Sequence, residues 1–175
     1  MRLYDMSWQN KRINWETNTE QGVDEVEPIS DNMQKYANYK EQMGRLKKAL
    51  TQGFYLEAVF IEYAIMEDRL ESALRHGGKW NPKPNEFWGM DKKLARVEKM
   101  AEEKKSVAAR YFSVELLQTV RDWKGQRNRL IHALLKQSLH TPQLQEHVAV
   151  GLELVKTLNT KSAAFKRAVE KQKAV

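Results

Sequence analysis

The stretch FYLEAVFIEYAIMEDRLESALRH, residues 54–76, places apolar side chains three and four positions apart, which is the repeat of one face of an α-helix. The apolar positions are 55, 56, 59, 60, 63, 66, 70 and 74. Gly77 and Gly78 end the pattern, because glycine readily adopts the left-handed conformation found after a helix C-terminus. The stretch therefore predicts a strong amphipathic helix over about residues 54–75.

Other segments carry the same helical spacing, and none has the strict alternation of a good β-strand. Capping residues support two helix starts, with Ser30 or Asp31 at one and Thr141-Pro142 at the other. We predict these further helices over about residues 31–51, 91–105, 112–138 and 141–170. The predicted fold is all-α: a single up-and-down helical bundle of about five helices.

Two segments lack a helical period. Residues 77–90 contain two prolines and three glycines among polar residues, and they predict a loop. Residues 1–29 predict an irregular N-terminal arm ahead of a bundle domain over 30–175. Trp8 and Trp15 are unusual in a disordered tail, so we expect the arm to pack on the bundle or across a dimer.

Composition limits the class of protein. The 175 residues include no cysteine, which excludes disulfides and thiolate metal sites and favours the cytoplasm. No apolar run approaches the roughly 20 residues that span a bilayer, so no membrane partner is expected. The net charge is +7, and residues 1–30 carry an acidic excess, so the positive charge lies in the bundle. A basic bundle suits a polyanion such as RNA, although many basic proteins bind no polyanion.

The run QTVRDWKGQRNRLIHALLKQ, residues 118–137, places polar residues where a helix needs apolar ones. At about 100° per residue, Arg127 falls on the core stripe of this helix. A second stripe, about 60–120° further round, mixes leucines with Asn128 and His132 and suggests a self-association surface. The core stripe comprises Leu116, Val120, Trp123, Arg127, Ile131 and Leu134, and the second comprises Leu117, Asn128, His132, Leu135 and Leu139. A purely structural interpretation stays open: Arg127 pairs with Glu62 or Glu67, and His132 has no chemical role.

The motif RNRLIH, residues 127–132, resembles the Arg-x(4–6)-His hallmark of the HEPN superfamily, in which a polar residue often follows the arginine. The flanking Trp123, the aliphatic residues around His132 and the helix over 54–75 are also similar to that family. The resemblance implies a metal-independent endoribonuclease, of a toxin or phage-defence type, that acts as a homodimer with one composite cleft. It also implies a cognate antitoxin protein as a partner. The implied catalytic residues are Arg127, Asn128 and His132.

The chemistry of these side chains fits that implication. RNA carries its own nucleophile, the 2′-hydroxyl, so the protein must only move protons and stabilise charge. A histidine can take or give the proton, and an arginine can hold two phosphate oxygens. The products would be a 2′,3′-cyclic phosphate and a 5′-hydroxyl, with no metal and no cofactor.

Other basic and aromatic residues are candidates for RNA contact. The 77–90 loop can stack a base on Trp80 and contact phosphates, although packing of its aromatics within the protein is the commoner case. The predicted RNA-binding residues are Lys79, Trp80, Lys83, Lys124 and Arg129. The alternative function is a non-catalytic HEPN-like helical dimer that serves as an RNA-binding or protein-interaction module.

Overall fold

The computed structural model describes residues 32–134, 136 and 141–174, and the part described contains five α-helices, one short 3-10 helix and no strand. The helices are α1 (Asn32–Gln52), α2 (Tyr55–His76), α3 (Met90–Glu102), the 3-10 helix Val107–Arg110, α4 (Val114–Ala133) and α5 (Thr141–Lys173). The all-α helical bundle is thereby confirmed. Contacts divide the chain into two units, Met1–Tyr36 and Ala37–Val175, and the buried core lies in the second. The arm 1–29, with Trp8 and Trp15, lies outside the described residues.

Local backbone conformation decides where the helices end. Gly53 and Gly78 adopt positive φ values of 75° and 68°, which separate α1 from α2 and follow the end of α2. The third helix ends at Glu102 rather than near 105, since Glu103 already has an extended backbone with a ψ of 138°. The predicted extension of the fourth helix to 138 is wrong: α4 ends at Ala133, and Leu134 and Lys136 lie in turns.

Helix α2 is the centre of the bundle, because it packs against both α3 and α5 and contacts α4 through its aromatic residues. Contacts that advance together along α2 and α5 show that these two helices run in the same direction. They join Tyr55 to Gln145, Glu62 to Gly151, and Arg69 to Ser162.

The direction of α3 follows from its contacts with α2. Lys93 near its start contacts Glu67 and Glu71, and Met100 near its end lies against Gly77. Helices α2 and α3 therefore run the same way, and the long connection 77–89 between them allows this. Helix α4 runs opposite to α3, because Asp91 pairs with Lys124 and Glu98 pairs with Arg121. From α3 to α5 the chain alternates direction.

The core is apolar, and α2 contributes more buried apolar residues to it than α3 or α4. Edge-to-face contact between Phe112 and Phe165, with centroids 5.5 Å apart, joins the segment before α4 to α5. Burying each such side chain contributes about 1.5–3 kcal/mol to the free energy of unfolding. Large side chains in this core include Leu46, Met66, Leu70, Leu74, Leu94, Phe112, Trp123, Leu158 and Phe165. Among the described residues, four polar or charged side chains are also buried: Glu62, Lys93, His147 and Ser162.

Candidate functional site

The motif predicted to be catalytic lies on the second half of α4. Arg127 and Asn128 are half-buried, and Nη1 of Arg127 donates a hydrogen bond to Oδ1 of Asn128 at 3.1 Å. His132 lies in the last turn of α4 and is exposed. The structure therefore joins two of the three motif residues directly and leaves the third accessible to solvent one turn away.

Two aromatic rings of α2 hold the guanidinium of Arg127. Its central carbon lies 5.0 Å from the ring centre of Phe60 and 4.7 Å from that of Tyr63. Contact of a guanidinium with the face of a ring contributes about 0.5–2 kcal/mol. Tyr63 is half-buried and Phe60 is 51% exposed, so the guanidinium sits where the surface of α2 meets α4.

Arg127 has no ion-pair partner among the described residues. Over these residues no carboxylate forms a salt bridge with its side chain, and Glu67 instead lies 3.4 Å from Nζ of Lys93. Buried Nε of Arg127 also lacks a hydrogen-bond partner in this part of the chain. The structural interpretation in which Arg127 pairs with Glu62 or Glu67 is therefore wrong, and no side-chain anion of the described residues neutralises the guanidinium.

Beside the motif, a buried polar cluster joins three helices: Glu62 of α2, Trp123 of α4, and His147 with Gly151 of α5. The rings of Trp123 and His147 stack with centroids 4.8 Å apart, and Nε1 of Trp123 donates to the backbone oxygen of His147 at 3.0 Å. The carboxyl of Glu62 fills the space that a side chain at Gly151 would need. The cluster therefore packs tightly where α2, α4 and α5 meet.

Burial controls the protonation of the cluster. Glu62 is fully buried, neither carboxyl oxygen has a hydrogen-bond partner within the described part of the chain, and burial raises its pKa to about 9. His147 is buried and both ring nitrogens lack partners there. Burial, followed by the nearby charge of Arg127, lowers the His147 pKa to about 4. At neutral pH both groups are therefore uncharged, which leaves Arg127 as the charged group beside the cluster.

Sequence reasoning missed this cluster. Glu62 stands between Val59 and Met66 at helical spacing, so its place on the core face of α2 was visible in the sequence. Nothing in the residues around His147 marks it as a partner of Trp123. Its position depends on how α5 packs against α4, which no local pattern reveals.

The predicted RNA-binding residues fall into separate places. Lys124 pairs with Asp91, so part of its charge is neutralised within the chain. Arg129 is exposed and lines a cleft of about 410 Å³ between α4 and α5, together with His147 and Glu146. These basic residues thus flank the motif on two sides of α4.

The other predicted RNA contacts lie near the far end of α2. Lys79 pairs with Glu103 at 2.6 Å, and Lys83 is exposed. Trp80 is half-buried, packs edge-on against Trp88 at 5.0 Å, and lies 4.8 Å from the guanidinium carbon of Arg75. At 1.5 Å per residue, the stretch of α2 from Phe60 to Arg75 separates this loop from the motif by about 20 Å.

Part of the predicted self-association stripe of α4 is buried within the chain itself. Leu117 is only 1% exposed and belongs to the core of its own chain, so its placement at a dimer interface is wrong. The reason is that α3 and α5 both pack against α4, which buries a wider face than one stripe. Leu135 and Leu139, the other leucines of that prediction, lie outside the described residues.

Metal-binding clusters and membrane-spanning helices are absent from the described residues. These residues contain no group of three or more histidine, aspartate or glutamate side chains placed to hold a metal ion. None of the helices in the described ranges is long and apolar enough to cross a membrane. The chain matches no protein-family model, no curated protein and no solved structure.

Proposed function

We propose that the protein is a metal-independent endoribonuclease of the HEPN type, in which two copies of the chain form one composite site from Arg127, Asn128 and His132. The observation that carries the proposal is that Arg127 is held in place but has no counter-ion among the described residues. Its guanidinium is held by two aromatic rings and Asn128, no carboxylate among the described residues neutralises it, and His132 is exposed one turn along α4. A fixed cation without a counter-ion is suited to an anionic ligand such as a phosphodiester.

The reaction needs only groups that the motif supplies. The 2′-oxygen bonds to phosphorus while the bond from phosphorus to the 5′-oxygen breaks. One imidazole accepts the 2′-proton, and another donates a proton to the departing 5′-oxygen. Arg127 stabilises the negative charge that develops on the phosphate oxygens. The products are a 2′,3′-cyclic phosphate and a 5′-hydroxyl.

The need for a base and an acid is the reason for the dimer. Each motif contributes one histidine, and His147 is buried with its pKa lowered to about 4, so it is a poor second proton carrier. A second copy of His132 would complete the pair. A toxin or phage-defence role in the cytoplasm, with a protein antitoxin, accompanies the proposal on the strength of the resemblance alone.

The test is cleavage of RNA by the purified protein in the presence of EDTA. Wild type is expected to cut, and Arg127→Ala and His132→Ala are each expected to lose at least about 100-fold in rate. Arg45→Ala removes the same charge from an exposed position on α1 and is the matched control, with unchanged rate expected. Cleavage that EDTA abolishes, or that survives in His132→Ala, would contradict the proposal.

A second candidate function is a non-catalytic RNA-binding or protein-interaction dimer. The observation in its favour is the ring of Phe60, which is 51% exposed and contacts Arg127 of the motif. Wild type that binds RNA or dimerises through this surface, but never releases cyclic-phosphate ends, would favour it.

A further inference from the structure

Phe60 occupies an unusual position for an apolar side chain. Half of its surface is exposed, although the helix that carries it packs against both α3 and α5. Single exposed apolar residues are normal in proteins, so exposure alone assigns no role to it. What distinguishes Phe60 is its contact with the guanidinium of Arg127, whose carbon lies 5.0 Å from the ring centre.

The contact makes one surface of a phenyl ring and the guanidinium that lies over it. A phenyl ring and a guanidinium plane are the two kinds of protein group on which unstacked RNA bases stack. Tyr63, which is half-buried, lies 4.7 Å from the same guanidinium. Asn128 fixes one of its nitrogens by a hydrogen bond. The accessible part of this surface is the ring of Phe60.

The charges around Phe60 favour a base over a phosphate at that ring. Glu57, one turn earlier on α2, is an exposed carboxylate that repels phosphate. Arg127 is the cation on the other side, where a phosphate would bind. An uncharged base over the ring avoids repulsion by Glu57, and a phosphate at the guanidinium pairs with Arg127. Adjacent units of one RNA strand supply both groups.

We propose that Phe60 stacks the nucleobase adjacent to the phosphate that Arg127 holds, and so makes the site selective for single-stranded RNA. This inference rests on the proposed function for its ligand. Duplex RNA gains nothing from Phe60, because its bases are already stacked on each other and present no free face to the ring.

The test measures binding, with no cleavage step. Fluorescence anisotropy is recorded with a labelled single-stranded 2′-O-methyl RNA, which has no free 2′-hydroxyl to attack. Phe60→Ala and Phe60→Leu are expected to weaken binding by about 5- to 150-fold, the factor that corresponds to the loss of one stacked base. Phe60→Trp retains an aromatic face and should bind at least as tightly as wild type. Phe54→Ala, beside the start of the same helix with similar exposure, is the matched control and should bind like wild type.

Salt dependence separates stacking from charge. The affinity lost in Phe60→Leu should be the same at low and high salt, because stacking releases no counterions. Arg127→Ala should instead lower the slope of log affinity against log salt by about one. A duplex of the same sequence should bind wild type and Phe60→Leu equally.

Three results would overturn the inference. Phe60→Leu could bind as wild type does, Phe60→Leu and Phe54→Ala could lose equal affinity, or the Phe60 variants could shift only the monomer–dimer equilibrium in sedimentation. If wild type cleaves RNA and Phe60→Leu binds normally, the ribonuclease survives and the stacking role fails. If the stacking pattern appears but wild type never cleaves, the ribonuclease fails and Phe60 remains a base-binding residue.

Discussion

The carboxyl of Glu62 on α2 lies against Gly151 on α5, where an added methyl group would overlap Oε2 of that carboxyl. The same methyl would lie 2.7 Å from Cδ of Glu62 and 2.8 Å from Nε1 of Trp123. The absence of a side chain at Gly151 therefore gives room to two polar groups at the junction of three helices.

Gly151→Ala is expected to lower the free energy of unfolding by about 1–3 kcal/mol, because the atoms it meets belong to buried side chains with little room to move. Urea denaturation measures the change. Gly44→Ala on α1 is the control, since an added methyl there meets nothing within 4 Å. It should raise stability by about 0.5–1 kcal/mol through helix propensity. A Gly151→Ala protein as stable as wild type would show that α2 and α5 can separate at no cost.

Glu62→Gln is expected to raise the melting temperature at pH 8 and leave it nearly unchanged at pH 4. The folded-state pKa of Glu62 is raised from 4.5 to about 9, so the folded state keeps a proton that the unfolded state loses. The contribution of Glu62 to stability therefore falls as pH rises from about 4.5 to about 9, and glutamine removes that pH dependence. Circular dichroism melts across this range are the measurement. Glu57→Gln, an exposed site on the same helix, should retain the wild-type slope.

His147→Phe is expected to stabilise the protein in acid. The pKa of His147 is lowered from 6.5 to about 4, so the unfolded state binds a proton in this range that the folded state does not. Stability is therefore lost as pH falls from about 6.5 to about 4. Phenylalanine preserves the stack on Trp123 without titrating. A stability difference between His147→Phe and wild type that does not grow as pH falls through this range would contradict the assignment.

Together the two buried groups predict the pH profile of wild-type stability. Between about pH 4.5 and 6.5 the two slopes have opposite signs and offset each other. Stability should therefore be nearly level in that window and fall as pH rises above it, as far as these two groups determine the profile. The double variant Glu62→Gln/His147→Phe should be flatter than wild type above about pH 6.5.

Arg127→Ala and Lys93→Ala should differ sharply in stability. Removing Arg127 strands no carboxylate of the described residues, so the loss comes from its ring contacts and its hydrogen bond to Asn128, about 1–2 kcal/mol. Lys93 is 6% exposed, with Nζ 3.4 Å from Glu67 and 3.0 Å from Glu71. Its removal leaves Glu67 without its cation and leaves Glu71 with Arg75 alone, at a cost of up to about 3–5 kcal/mol. The reverse order in thermal melts would mean that Arg127 has a structural role after all.

The features of the fold that could be predicted from sequence are local. The apolar stripe of α2 and the glycines after it are patterns of residues close together in sequence. Their spacing therefore predicted correctly that α2 is a helix and where it ends. The place of Arg127 between α2 and α4 also agrees with its position on the core stripe. The prediction that Leu117 lies at a dimer interface was wrong, because the width of the buried face of α4 depends on which helices cover it. The cluster of Glu62 with His147 was invisible for the same reason.

The pairing of α2 with α5 has a consequence for synthesis. Tyr55 meets Gln145 and Arg69 meets Ser162, residues 90 and 93 positions apart. At about 5–20 residues per second, a ribosome would need roughly 5–20 seconds between making the two members of each pair. During that interval the apolar face that α2 turns toward α5 has no partner in the nascent chain. Translation speed between the two helices therefore sets how long this surface is open to chaperones or to aggregation.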